Sequence, residues 1–411
     1  MKVSIKFSSL VAMFLFFASS CQKEGSESKL APLLIPAHDA IEGQYIVLFK
    51  DELMKDYRGP ESTGNRYERV QQASEKVQYF SGLVNVLLQE VDIPAAQVTD
   101  YYTEIFYGMA IQLDKDQLYR LLKHPSIKMI EQDMEVKLPD VRIEPDGILQ
   151  RAQNTPCGIT NAGGSADGSS STKWIWIVDT GIDLDHPDLN VVTNTTYAKS
   201  FVGGTPDDCN GHGSHVAGIA AAKNNTIGVI GVSAGAPVVP VRVLNCQGSG
   251  QTSKILNGLN HVATYDEAGD VVNMSLGGYW GSNCSTGSSY VTALTNLSAS
   301  GTRIALAAGN SSDNTALYTP ACINGTNIHT VASMTCSKTW SSFSNFGAPP
   351  IDWIATGSSV YSTYKNGGYA TLSGTSMASP HVAGIMHSIQ ASPNQTGTVT
   401  YNSVSYKIAT R

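Results

Sequence analysis

With 411 residues, 42% of them apolar and 15% charged, the chain has enough apolar material for a large core and too much to be a disordered polymer. A formal net charge of −7 with no basic run argues against nucleic acid as a partner, since a phosphate-binding surface needs a basic excess. The length suits two or three units.

Residues 1–20 stand outside any fold: Lys2 and Lys6 precede a stretch from Phe7 to Ser20 that is apolar or small throughout. This is an export-signal pattern, too short to span a bilayer. It closes on Ala18-Ser19-Ser20-Cys21, followed by the polar run Gln22 to Ser26. Small residues directly before a cysteine resemble a bacterial lipoprotein signal, with Cys21 lipidated after cleavage. The other reading is ordinary cleavage near Ser20 and an incidental cysteine. Either way the product is exported, secreted or held at the bacterial cell surface. No later stretch has the length of a spanning helix.

Residues 22–43 are polar, contain proline and lack periodicity, and read as a tether. Tyr45 to Phe49 is a β-branched and aromatic strand. Residues 66–91 carry a helical pattern through Val70, Val77, Leu83 and Leu87. Ile105 to Leu113 reads as a second strand. Asp114 caps a short helix reaching His124, and Ile127 to Leu138 is a last extended segment. Together residues 44–138 make a compact α+β unit. From Pro139 to about Thr172 the chain turns Gly-, Ser-, Asn- and Asp-rich, an exposed loop. Beyond it, Trp174 to Val178, Val238 to Val243, Val271 to Met274 and Arg303 to Ala308 are short runs apolar on both faces. Such runs suit buried strands of a parallel sheet. Ser214 to Lys223, Ser253 to Asp266 and Val291 to Ser300 supply crossover helices between them. The layout is a doubly wound, mostly parallel α/β sheet spanning residues 151–411.

Six cysteines remain when Cys21 is set aside: Cys157, Cys209, Cys246, Cys284, Cys322 and Cys336. In an exported protein they read as up to three disulfides with fifteen possible connectivities, and without a CxxC pair no structural zinc site is expected.

Three local sequences carry chemistry. Asp179-Thr180-Gly181 follows a buried strand, where open α/β sheets place their working groups. Asn210 to Gly218 puts His212 at a helix start between glycines that let other backbone approach, and Ser373 to Pro380 puts Ser376 at another, with Pro380 expected in the first turn. Each alone is more often a cap or turn residue. Together, in the order Asp, His, Ser, they follow the triad order of subtilisin. His215, one turn beyond His212, reads as a packing residue, and no HExxH pattern supports metal catalysis.

With Asp208-Cys209-Asn210-Gly211-His212-Gly213, Val241 to Cys246, Asn273 to Gly278 and Ala307-Ala308-Gly309-Asn310 added, the chain resembles the subtilisin-like serine proteases, and within them the proteinase K and aqualysin branch. The likeness covers roughly residues 170–390. It implies a subtilisin-like fold and serine endopeptidase activity without a catalytic cofactor. Asp179, His212 and Ser376 would form the triad and Asn310 the oxyanion donor. Ser275, Leu276, Gly277 and Gly309 would line the substrate site. Gly43 to Asp51 and Gly108-Met109-Ala110 resemble the ferredoxin-like inhibitory prodomain of that family, whose tail, about Glu131 to Pro139, would block the cleft until a cut between Leu138 and Gln150. The resemblance further implies a Cys209–Cys246 disulfide. It also implies a structural calcium held by Asp352 and the carbonyls of Thr326 and Ile328. The expected partners are protein or peptide substrates and the chain's own prodomain, the protein being a monomer. The rival reading is a catalytically silent subtilisin-fold surface binding protein, which would normally lack one of the four catalytic residues. An esterase would be expected to show Gly-x-Ser-x-Gly, where this chain has Gly-Thr-Ser-Met-Ala.

Overall fold

The structure, a computed structural model, describes residues 30–59, 65–138, 144–145, 152–281, 284 and 288–411. Cys21 and most of the 139–150 linker lie outside the described residues. In chain order the first unit contains β1 (Leu33–Leu34), β2 (Ala40–Phe49), α1 (Arg69–Glu90), β3 (Val98–Tyr102), β4 (Gly108–Gln112), α2 (Lys115–Leu122) and β5 (Ile127–Lys137). Its strands lie in the order β1-β5-β2-β4-β3. Leaving β1 aside, this is the βαββαβ arrangement of a ferredoxin-like unit. Asp114 caps α2 in a full capping box with Gln117.

The expected tether is not free from Leu30 onward. β1 pairs with β5, and β2 begins at Ala40. The Ala37 N–H donates to the Trp280 carbonyl at 3.2 Å. The reason for the difference is that this segment is held by main-chain hydrogen bonds, which leave no side-chain period to read.

The second unit is wound around one large sheet. Its strands are β6 (Ile175–Asp179), β7 (Lys199–Ser200), β8 (Val238–Arg242), β9 (Ser249–Gln251), β10 (Val271–Met274), β11 (Arg303–Ala307), β12 (Ile328–Met334), β13 (Ile351–Thr356), β14 (Val360–Tyr364), β15 (Gly368–Leu372), β16 (Asn394–Tyr401) and β17 (Val404–Thr410). The large sheet has the order β16-β17-β13-β12-β11-β10-β6-β8-β7, parallel except at β16/β17. The helices α3 (His212–Ala221) and α6 (Thr375–Ile389) cover one face, and α4 (Thr252–Tyr265) and α5 (Ser289–Ala299) the other. In β6, Ile175 and Ile177 pack toward α3 while Trp176 and Val178 pack toward α4 and α5. Burial on both faces is why these strands read as unbroken apolar runs.

The sheet of the first unit sits on α4 and α5, and two carboxylates of β5 meet the starts of these helices. Glu131 accepts from the Ser289 N–H at 2.8 Å and its hydroxyl at 2.9 Å, at the start of α5. Asp133 does the same for Ser253 at the start of α4. Both satisfy orphan donors at the positive end of a helix dipole. The tail that reaches the cleft therefore begins at Glu135 rather than Glu131.

Burial pushes the Glu131 carboxyl up to about 7 from its usual 4.5; the Ser289 bonds oppose the shift and Asp133 adds to it. A docked Glu131 thus keeps a proton that the separated one loses. Its contribution to docking is complete below pH 4.5 and lost as pH rises through 7. Exchange of the prodomain from the protease unit should be faster at pH 8 than at pH 5. Glu131→Gln should flatten that dependence, as read by hydrogen exchange across β5.

Candidate active site

Three neighbouring strands, β11, β10 and β6, deliver their carboxyl ends to one place. Asp179 ends β6, Ser275 follows β10 and Asn310 lies just past β11. The helices α3 and α6 pack together and begin at the same edge with His212 and Ser376.

Asp179 is fully buried, and its Oδ1 accepts from the Thr180 N–H at 2.7 Å and from His212 Nδ1 at 2.8 Å. Burial works against a charged His212, but the Asp179 carboxylate, by charge and hydrogen bond with Asp208 behind it, leaves the imidazole above its usual 6.5. Nδ1–H pointing at Asp179 leaves Nε2 as a base, and Nε2 has no hydrogen-bond partner among the described residues. The Ser376 hydroxyl donates to the Ser275 carbonyl at 3.3 Å. In this resting arrangement the hydroxyl and Nε2 are therefore not bonded. Catalytic hydrogen bonds often tighten only with substrate bound.

Asp208 ties the pair together. Its carboxylate accepts from the Thr180 hydroxyl, from the N–H groups of Asn210, Gly211 and Ser214, and from the Ser214 hydroxyl, at 2.7–3.0 Å. Thr180 in turn accepts the Gly213 N–H at 2.9 Å. The segments on either side of Asp179 and His212 thereby hang from one buried anion. Gly213 is required here, because a Cβ would lie 2.1 Å from the Gly181 carbonyl. The Cys209–Cys246 disulfide, Cα atoms 5.0 Å apart, closes the loop beside this cluster, a cross-link typically contributing ~2–4 kcal/mol.

Around Ser376 the helix is deliberately incomplete. Pro380 lies in the second turn of α6, not the first as its motif suggested. It lacks the N–H that would bond the Ser376 carbonyl four residues back. That carbonyl accepts the Ser275 hydroxyl at 2.8 Å instead, Asn273 donates to Ser275 at 2.9 Å, and Ser379 donates to Asn273 at 2.8 Å. The proline frees an acceptor that stitches α6 to the end of β10.

Asn310 is aimed in the same way. Its Oδ1 accepts from the Thr375 N–H at 2.8 Å and the Thr375 hydroxyl at 2.9 Å, which turns Nδ2 toward Gly374. Sequence reasoning gave no role to Thr375, Asn273 or Asp208. The position of Thr375 beside the nucleophile was the only available hint. His215 Nε2–H donates to the carbonyls of Val360 and Ala370 at 3.0 Å each, and burial pushes the imidazole to about 3, so it stays neutral.

A cleft of about 280 Å³ brings together Ser275, Leu276, Gly277, Gly309, Asn310 and Ser376, with Asp39, Glu135 and Lys137 of the prodomain on its rim. Strand β9 pairs antiparallel with the end of β5, Gly250 opposite Val136. The Leu138 N–H donates to the Gly248 carbonyl at 2.8 Å. The prodomain end thus lies as an added strand along the protease edge.

The remaining expected sites lie elsewhere. Asp352 on β13 accepts the Thr330 N–H at 2.9 Å; burial pushes its carboxyl up to about 6, with Lys407 opposing. No group of three or more His, Cys, Asp or Glu able to hold a metal occurs among the described residues. Of the expected calcium donors Asp352 is the one carboxylate and the carbonyls of Thr326 and Ile328 are the others, three of the six to eight oxygens that calcium takes. The other cysteines pair as Cys157–Cys336 and Cys284–Cys322, not as the sequence neighbours Cys322 and Cys336.

Among known proteins, the Subtilase family model matches residues 171–408, and the Peptidase inhibitor I9 model matches residues 44–139. An extracellular serine proteinase of Thermus sp. (strain Rt41A) is 32% identical over 381 residues, covering 91% of this chain and 87% of that protein. Alkaline serine exoprotease A of Vibrio alginolyticus is 36% identical over 367 residues, or 86% of this chain, which spans 61% of the Vibrio protein. A crystal structure of a cold-adapted subtilisin-like serine proteinase is 37% identical, covering 54% of this chain and 75% of that chain with a TM-score of 0.47.

Proposed function

The chain belongs to the subtilase family and is a serine protease with an inhibitory prodomain, and from that premise we propose that it hydrolyses peptide bonds through Asp179, His212 and Ser376 after cutting itself free of residues 22–138. The observation that carries the reading is the buried Asp179–His212 bond at 2.8 Å at the same sheet edge as Ser376 and Asn310. The Ser376 hydroxyl turns from Ser275 to His212 Nε2, gives up its proton and attacks the scissile carbonyl. His212 returns the proton to the leaving amine, and water then splits the acyl-enzyme by the same route. Asn310 Nδ2 and the Ser376 N–H hold the oxyanion.

The extended substrate takes the place of the prodomain end between β9 and Ser275-Leu276-Gly277, held by main-chain bonds with little side-chain selectivity. The glycine-lined cleft favours a bulky apolar residue before the scissile bond. No step or stability is assigned to calcium. Should Cys21 be lipidated, the anchor lies on the prodomain side of the cut, and the protease unit leaves the surface when the prodomain lets go. The reading treats the protein as an exported monomer.

A fluorophosphonate probe should label Ser376 in processed protein, and N-terminal sequencing of that protein should read a start between residues 139 and 151. Processed protein that takes no label would favour the silent binding protein. Asn310→Ala should lower kcat by ~10²–10³ with KM little changed, the loss of one oxyanion donor, as read in steady-state peptide hydrolysis.

A further inference from the structure

Far from the cleft, the prodomain has another hold on the protease unit. Trp174 directly precedes β6 and Asp270 directly precedes β10, so both stand at the amino edge of the sheet, opposite the catalytic residues. Between them lies Arg66, 1% exposed, from the turn before α1. Its guanidinium stacks on the Trp174 ring at 3.7 Å, and Nη2 is 3.1 Å from both Glu267 Oε2 and Asp270 Oδ1. The Arg66 N–H also donates to Glu267 Oε1 at 3.3 Å. One turn on, Arg69 donates to the Asp266 carbonyl at 2.7 Å.

The walls of this site belong to the protease unit and are held without Arg66. Asp270, fully buried, accepts the Trp174 N–H and Trp176 Nε1 at 2.9 Å each and the Glu267 N–H at 3.1 Å. Lys173 Nζ lies 3.3 Å from Glu267 Oε2, the oxygen that Arg66 Nη2 also reaches. The indole face suits a planar guanidinium stacked at 3.7 Å, whose Nη2 reaches both carboxylates while Nη1 is buried without a hydrogen-bond partner among the described residues. Although burial opposes it, the Arg66 bond and charge hold the Glu267 carboxyl at about 2.

We propose that Trp174, Glu267 and Asp270 form an arginine-side-chain site at the amino edge of the protease sheet, which grips Arg66 in the precursor and is bared when the prodomain leaves. The prodomain is then held at two distant points, so clearing the cleft alone does not release it. The grip stands on the precursor structure; only the later baring rests on self-processing.

The test uses the full-length chain carrying Ser376→Ala, so that it stays joined. Amide hydrogen exchange is followed over residues 65–76 and 266–270. Arg66→Gln should raise exchange there by about tenfold, and Arg66→Lys by less. Millimolar Nα-acetyl-arginine amide should raise it in the parent, and the citrulline analogue should not. Unchanged exchange in Arg66→Gln, or equal effects of the two amides, overturns the proposal. If Arg66→Gln does not fold, the two amides decide it on the parent alone. A chain that is cut despite Ser376→Ala counts against self-processing and leaves this readout intact.

Discussion

Ser376→Ala is expected to give a folded precursor that remains uncut and hydrolyses peptides about 10⁶-fold more slowly than the parent. The substitution removes one oxygen that, at rest, contributes a single 3.3 Å bond to the Ser275 carbonyl. The contacts that hold the turn are main-chain or belong to other residues: the Ser376 carbonyl still accepts from Ser275, and Asn310 is still fixed by Thr375. Folding should therefore survive, while the hydroxyl that would pass a proton to His212 and attack a carbonyl is gone. Gel mobility with intact mass separates the outcomes. A normally processed Ser376→Ala protein would sink self-cleavage while leaving proteolysis of other substrates open to the peptide assay.

How much of this could be read from the sequence depends on where the stabilising contacts lie. The central strands β6, β8, β10 and β11 were legible because burial on both faces leaves an unbroken apolar run, whereas β7, β12, β13, β16 and β17 of the same sheet were not read. Strand β3 was not, since Thr99 and Asp100 interrupt any pattern. Asp100 instead takes Lys254 and Asn257 of the protease unit at 2.7 and 2.5 Å, a reason no local window contains. The motifs at the strand ends located Asp179, His212, Asn310 and Ser376. What positions them was hidden, because Asp208, Asn273 and Thr375 act through hydrogen bonds between segments distant in the chain. The Cys157–Cys336 pair, 179 residues apart, is illegible for the same reason.

Asp179→Asn should lower kcat by about 10⁴ through the wrong imidazole tautomer. Asp179 Oδ1 accepts both the Thr180 N–H and His212 Nδ1–H, and an asparagine loses the second of these bonds when its amide nitrogen faces the imidazole. An N–H pointing at Nδ1 drives the imidazole proton to Nε2, where a base is needed. The pH profile supplies an independent readout. In the parent, activity requires neutral His212, so kcat/KM should climb with pH through a value above 6.5, the direction in which Asp179 holds the imidazole. Without the carboxylate, burial, the largest influence, disfavours the imidazolium and only the charge of Asp208 opposes it. The acid limb of Asp179→Asn should therefore move to lower pH even as the plateau falls. A plateau drop with an unmoved limb would mean that Asp179 holds the fold of the 179–181 segment and not the proton of His212.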